Sequence, residues 1–198
     1  MKKYKMLIFD MDGTILYTLE DLKNTTNYAL SEHGFPERTL EEVRQFVGNG
    51  IHKLIERAVP AGTSDADIEA VFTTFEIYYK DHCMDTTRPY DGINDLLTKL
   101  RAQGYMTAVV SNKVDFAVQD LVKDFFVGQF DVAIGEREGV RKKPAPDSVY
   151  EVLKEFDLKK DEVIYIGDSD VDVETAKNAK MDGIFVDWGF RSRDFLLE

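Results

Sequence analysis

Four short apolar runs in this chain each end in a small polar cluster, and that repeated ending constrains the fold more than any other feature. Met6-Leu7-Ile8-Phe9 runs into Asp10-Met11-Asp12-Gly13-Thr14. The run at 105–110 stops at Ser111-Asn112, and Lys143-Pro144 lies beyond Val132-Ala133-Ile134. Val163-Ile164-Tyr165-Ile166 leads into Gly167-Asp168-Ser169-Asp170-Val171-Asp172. Short apolar runs of this kind read as buried strands. In an open parallel α/β sheet, ligands bind outside the carboxyl ends of the strands. The four clusters are therefore expected to converge on one edge of such a sheet.

Helical segments separate the runs. Asp91 precedes Ile93, Leu96, Leu97 and Leu100 at helical spacing, and Gly104 closes the segment. Strands near 105–110, 130–134, 163–166 and 184–186 alternate with helices near 114–127, 146–156 and 171–180, the pattern of a doubly wound, Rossmann-like parallel sheet. Between the first strand and the helix at 92 there is no strand-like run, over a length far beyond a simple crossover. This stretch reads as an inserted all-helical subdomain. Leu19, Leu22, Thr26, Ala29 and Leu30 share one helical face, Thr39 can cap a helix over 41–47, and another segment runs over 51–59. Ser64 with Asp67 opens a stripe of Ile68, Val71, Phe72, Phe75, Tyr78, Tyr79 and His82. The expected organisation is an α/β core of residues 1–16 and 87–198 with a helical insertion at 17–86.

The clusters carry chemistry. Alternation along an extended chain points Asp10 and Asp12 to the same side, and Gly13 lets the backbone turn. Two carboxylates about 4 Å apart repel by about 4 kcal/mol at an effective dielectric of about 20. A phosphate dianion adds to that, so a divalent cation is expected at the Asp10 and Asp168 end of the sheet. Ser111 and Asn112 read as the end of a strand before a helix, whose free N–H groups suit an anion. Arg141 and Lys142 read as solvated, whereas Lys143 precedes a proline, which holds its backbone extended and its direction fixed. Asp168, Asp170, Asp172 and Glu174 crowd a helix start, where negative charge is favoured in any case, and Asp170 reads as solvated. A calcium loop of the EF-hand type is excluded, because Val173 stands where its sixth position needs Gly.

The order Asp-x-Asp-Gly-Thr, Ser-Asn, Lys-Pro, Gly-Asp-Ser-x-x-Asp resembles the haloacid dehalogenase superfamily, in its phosphatase branch close to the phosphoglycolate phosphatases, over nearly the whole chain. The resemblance implies Mg2+-dependent hydrolysis of a small phosphomonoester, phosphoglycolate-like, through an aspartyl-phosphate. It makes Asp10 the nucleophile, Asp12 the general acid and base, and Lys143 the group that neutralises nucleophile and phosphate. It puts Ser111, Asn112, Gly13 and Thr14 at the phosphate. Asp10, the backbone carbonyl of Asp12, and Asp168 would hold the metal, with Asp172 in support. The inserted helices would be a mobile cap, with Asn49, Gly50, Lys53 and Arg44 near the leaving group. Three departures stand out: Tyr17 replaces an acidic residue at the hinge into the cap, Lys180 stands where relatives carry Gly, and the chain ends at Glu198, leaving a sheet edge expected to be uncovered.

Composition excludes several classes. The net charge of −12, from 25 Lys plus Arg against 37 Asp plus Glu, repels phosphate backbones and argues against nucleic acid as a partner. No apolar run is long enough to span a bilayer, and the basic start enters a strand directly, unlike a signal peptide, so the expected location is cytoplasmic. The lone Cys83 rules out an intrachain disulfide and a cysteine-based zinc site. His33, His52 and His82 lack metal-ligand spacing. Gly48-Asn49-Gly50 fails as a dinucleotide fingerprint, because Lys53 stands where the third Gly belongs. Competing readings are a β-phosphoglucomutase-like sugar phosphomutase, a pyrophosphatase or nucleotidase, and a receiver-like signalling module. The last has no reason to carry a large insertion. Monomer and homodimer are both open.

Overall fold

The computed structural model describes residues 4–197. The chain begins with β1 (Met6–Phe9) and β2 (Leu16–Tyr17), then runs through α1 (Leu19–Glu32), α2 (Leu40–Phe46), α3 (Ile51–Ala58) and α4 (Asp65–His82). It returns by β3 (Arg88–Pro89) and α5 (Ile93–Ala102), then β4 (Met106–Val114), α6 (Asp115–Phe125), β5 (Val132–Glu136) and α7 (Asp147–Glu155). The remainder is β6 (Val163–Gly167), α8 (Asp170–Ala179), β7 (Asp182–Phe185) and α9 (Arg193–Leu197). The contacts divide the chain into two units, one of residues up to Tyr17 and from Pro89 onward, the other Thr18–Arg88.

In the first unit the apolar runs become a five-stranded parallel sheet of order β5-β4-β1-β6-β7. β1 is its centre, with Phe9 opposite Val109 on one side and Ile166 on the other. Alternation assigns the two faces. Met6, Ile8, Ala108, Val110, Val163 and Tyr165 pack with Val149, Val152 and Leu153 of α7 and Ala176 and Ala179 of α8. Phe9, on the opposite face, meets Phe130 edge-on, and Phe130 meets Phe126 at the end of α6. The outermost β7 leaves Ile184 51% exposed. Lys180, at the turn before it, takes the left-handed conformation (φ 57°) that a glycine adopts without strain.

Two details differ from the sequence-based expectation. The strand expected to stop at Val110 continues to Val114, so Ser111 and Asn112 lie within β4 and α6 starts only at Asp115. The N-terminus of α6 therefore lies four residues beyond Ser111 and three beyond Asn112. Pairing to β5 jumps from Val110↔Ile134 to Val114↔Glu136, a bulge that releases residues 111–113 from that ladder. The stretch read as free of strands also holds two short ones, β2 and β3, which pair with each other. Beside them, Tyr90 donates its N–H to the Ile15 carbonyl (3.1 Å), and the Tyr17 ring meets that of Tyr90 edge-on.

The second unit is built from α1 to α4. α1 packs on α4 and α2, and α3 on α2 and α4. Its apolar stripes bury Leu22, Ala29, Leu30, Val43, Leu54, Ile55, Val71, Phe75 and Tyr79. A capping box joins Thr39 and Glu42 at the start of α2, and Ser64 caps α4 through the N–H of Asp67. Asp21, 1% exposed in the first turn of α1, accepts the N–H groups of Thr86 (3.0 Å) and Thr87 (2.8 Å) and the Thr86 hydroxyl (2.6 Å). The three histidines all lie here, His33 on Thr74, His52 between Glu56 and Glu69, and His82 on Asp85.

Candidate active site

β1 and β6 end side by side, with the Asp10 N–H donated to the Ile166 carbonyl (2.8 Å). The chain builds β1, β4 and β5 to one side, then returns across β1 to add β6 and β7, so this pair of strand ends is the topological switch point where open α/β sheets form a ligand crevice. Asp10 sits there, 7% exposed. Behind it the chain turns at Gly13, whose φ of 84° suits glycine; a Cβ there would also lie 2.7 Å from Cγ of Asp168. Asp168, fully buried, follows β6. Ser169 and Asp172 then form a capping box at the start of α8.

Lys143 reaches the same point. Its backbone is held by Asn112, whose Oδ1 accepts the Lys143 N–H (2.8 Å) and whose Nδ2 donates to the Lys143 carbonyl (3.0 Å). Its ammonium lies 2.7 Å from Asp10 Oδ1, 2.8 Å from Asp172 Oδ1 and 3.1 Å from the Tyr165 hydroxyl. It donates hydrogen bonds to Asp172 and Tyr165 and faces Asp10 as an ion pair. Arg141 and Lys142 turn to the exposed Asp147 and Glu136 flank instead.

The electrostatics of this cluster are unbalanced. Carboxylate oxygens of Asp10, Asp168 and Asp172 lie within 4.8 Å of one another, all buried. Asp172 is the satisfied member. Its Oδ1 takes Lys143 and Tyr165, and its Oδ2 takes the Asp168 and Ser169 N–H groups and the Ser169 hydroxyl. Burial works against its charge, but Lys143 and these donors hold its carboxyl below the usual range. Burial, reinforced by the Asp172 charge, pushes Asp10 up to about 7. Burial and the charges of Asp172 and Asp10 likewise push Asp168 well above the usual range. Burial also opposes the Lys143 ammonium, yet Asp10 and Asp172 hold its pKa well above that of an ordinary lysine. Asp10 and Asp168 are thus adjacent carboxylates short of positive charge. Oxygen donors of that kind suit a hard divalent cation such as Mg2+.

Asp12 stands apart from this cluster. Its carboxylate meets Lys113 Nζ at 3.1 and 3.3 Å, and the lysine is 4% exposed. Two residues expected at the phosphate have their side chains engaged elsewhere. Thr14 donates its hydroxyl to Asp168 Oδ1 (3.0 Å), and its N–H goes to the Met11 carbonyl. A hydroxyl has one proton, so Thr14 orients a carboxylate here. Asn112 spends its amide on the Lys143 backbone. Gly13 N–H bonds the Leu16 carbonyl (2.9 Å). Ser111, 6% exposed, accepts the Lys113 N–H (3.3 Å). In the helical unit, Asn49 accepts from Arg57, Gly50 is the N-cap of α3, Lys53 pairs with Glu56, and Arg44 pairs with Glu41.

Sequence reasoning missed Lys113 and Tyr165. A signal for the first existed: a lysine two residues after Ser111 on one strand shares its face, and a charge there needs a partner. Tyr165 read only as one apolar residue of a strand.

An acidic cluster built around one buried lysine at the switch point of a parallel sheet defines a class of hydrolase. Residues 7–186 match the haloacid dehalogenase-like hydrolase family, and the chain belongs to it. The phosphoglycolate phosphatase of Mannheimia succiniciproducens is 30% identical over 196 residues, covering 95% of this chain and 88% of its own length. A crystal structure from Lactobacillus delbrueckii subsp. bulgaricus, presumed to be a phosphoglycolate phosphatase, superposes with a TM-score of 0.94 at 41% identity, over 98% of this chain and 91% of that one. CbbY from Rhodobacter sphaeroides, solved in complex with phosphate, has a TM-score of 0.75 at 25% identity, over 96% and 88%. The protein is an enzyme, a phosphatase of this family. Among the described residues no helix is long and apolar enough to cross a membrane.

Proposed function

We propose that the enzyme hydrolyses a small phosphomonoester with Mg2+, through an aspartyl-phosphate on Asp10, and that phosphoglycolate is its substrate class. The contact that carries this reading is Lys143 Nζ on Asp10 Oδ1 at 2.7 Å, inside a cluster with Asp168. Lys143 tethers one oxygen of Asp10 and so orients the carboxylate. An oxygen of Asp10 attacks phosphorus as the bond to the leaving oxygen breaks, and Asp12 gives that oxygen its proton. Water then attacks the phosphorus of the acyl phosphate while Asp12 takes a water proton, releasing inorganic phosphate and restoring Asp10. Asp10 and Asp168, with the Asp12 carbonyl, would hold Mg2+, which when bound keeps both carboxylates ionised and offsets phosphate charge. Lys143 adds a fixed positive charge beside the transferring group, and Ser111 supplies a hydroxyl to a phosphate oxygen.

The relatives named phosphoglycolate phosphatase support the substrate class. The helical unit Thr18–Arg88 is read as a cap that selects the leaving group, with Asn49, Gly50 and Lys53 as its contacts. Mass spectrometry of enzyme quenched during turnover should find phosphate on Asp10, and a Mg2+ screen of phosphorylated metabolites should rank phosphoglycolate first. A phosphate-free Asp10 during steady turnover refutes the covalent route. Conversion of a sugar 1-phosphate to its 6-phosphate would make the enzyme a mutase.

A further inference from the structure

We propose that residues 188–190, which belong to none of the four motifs, form a strap that fixes the carboxylate of Asp168 and thereby sets the affinity for Mg2+. The proposal rests on the reading of Asp168 as a Mg2+ ligand. Just past β7 the parallel pairing with β6 continues, Val186 N–H bonding the Gly167 carbonyl (2.9 Å). That brings the next residues against Asp168. Phe190, 7% exposed, donates its backbone N–H to Asp168 Oδ2 (2.7 Å). Thr14 donates to the other oxygen at 3.0 Å. Each oxygen of one carboxylate thus receives a donor from a different part of the chain, which fixes its plane and leaves a lone pair on each for a cation.

Gly189 makes this approach possible. A Cβ on it would lie 2.5 Å from Cγ of Asp168, so any side chain must push the carboxylate or the strap aside. Trp188 closes the loop by donating its indole N–H to the Thr14 carbonyl (3.2 Å), the same residue whose hydroxyl holds Asp168. Half exposed, Trp188 packs its ring near that of Tyr90 (6.4 Å). Its role in the strap is the hydrogen bond more than burial. Mg2+ tolerates little departure from octahedral geometry, and losing partners that orient a ligand typically weakens metal binding by 10–100-fold. Gly189 and Trp188 are therefore positioning residues: neither supplies a ligand, yet both govern how well Asp168 does.

The test is calorimetric titration of Mg2+ into substrate-free enzyme, together with thermal unfolding in EDTA, for Gly189→Ala, Trp188→Phe and Asp168→Ala. Expected are a Mg2+ affinity about 10–100-fold weaker for Gly189→Ala and several-fold weaker for Trp188→Phe, with the EDTA melting temperature of Trp188→Phe unchanged. If Gly189→Ala does not fold, Trp188→Phe decides alone. Wild-type Mg2+ affinity in the strap variants, with binding lost in Asp168→Ala, overturns the strap. Wild-type affinity in Asp168→Ala overturns the reading of the metal site beneath it.

Discussion

Replacing Lys113 by methionine should separate the chemistry from the fold. The lysine side chain is 2% exposed and its Nζ lies 3.1 Å from Asp12 Oδ1. At an effective dielectric of about 20, unit charges at that distance attract by about 5 kcal/mol. Desolvating a buried ammonium costs several kcal/mol in the opposite direction. Methionine keeps the length of the stem and removes both contributions. The Asp12 side chain, 20% exposed, can regain water. Stability should therefore change by less than about 2 kcal/mol. Catalysis should respond far more, because Lys113 holds the carboxylate proposed to protonate the leaving oxygen. General acid–base catalysis is worth about 10²–10⁴-fold, and a misaimed group forfeits part of it. The burst of leaving-group release should slow about 10–100-fold for an alkyl phosphate, and by less than about 3-fold for an activated aryl phosphate that departs without a proton. Reading the burst keeps the shared hydrolysis of the phosphoenzyme out of the comparison, and urea unfolding in EDTA measures stability. Equal slowing on both esters, or a stability loss above about 4 kcal/mol, would refute the reasoning.

Asp10→Asn should abolish turnover yet stabilise the metal-free protein. With Asp10 raised to about 7, its ionisation opposes the metal-free fold, so the gain is absent at low pH, grows between about 4 and 7, and reaches a few kcal/mol above that. Thermal unfolding in EDTA across pH reads it, and a flat profile contradicts it. Lys143→Ala should reduce kcat by orders of magnitude more than Lys142→Ala, since only Lys143 meets Asp10 and Asp172; comparable kcat losses would show that the wrong lysine was chosen. Asp21→Asn should cost about 1.5–3 kcal/mol in urea unfolding, because an amide cannot accept all the donors of Thr86 and Thr87. Lys53→Ala should shift relative kcat/KM among phosphate esters by about 10–200-fold and spare an acyl phosphate too small to reach a cap; a uniform loss would remove the loop from recognition.

The order of apolar runs and their polar endings was enough to determine the parallel sheet and to bring Asp10, Lys143 and Asp168 to one edge. Strand and helix periodicities are local, and the carboxyl end of every parallel strand lies on the same side of the sheet. The alternation also marked the helical stretch after β2. Only the tertiary structure decided what each polar side chain does once there. Asp12 pairs with Lys113, 101 residues away, and Asn112 serves the backbone of Lys143, 31 residues away. Thr14 and the Phe190 N–H hold Asp168 from opposite parts of the chain, and Tyr165 completes the Lys143 shell from within an apolar strand. Ser111 lies inside β4 because a bulge against β5 lets the strand run on to Val114. Hydrogen-bond partners and charge balance depend on which distant residues share a desolvated volume, and periodicity within one segment carries no record of that.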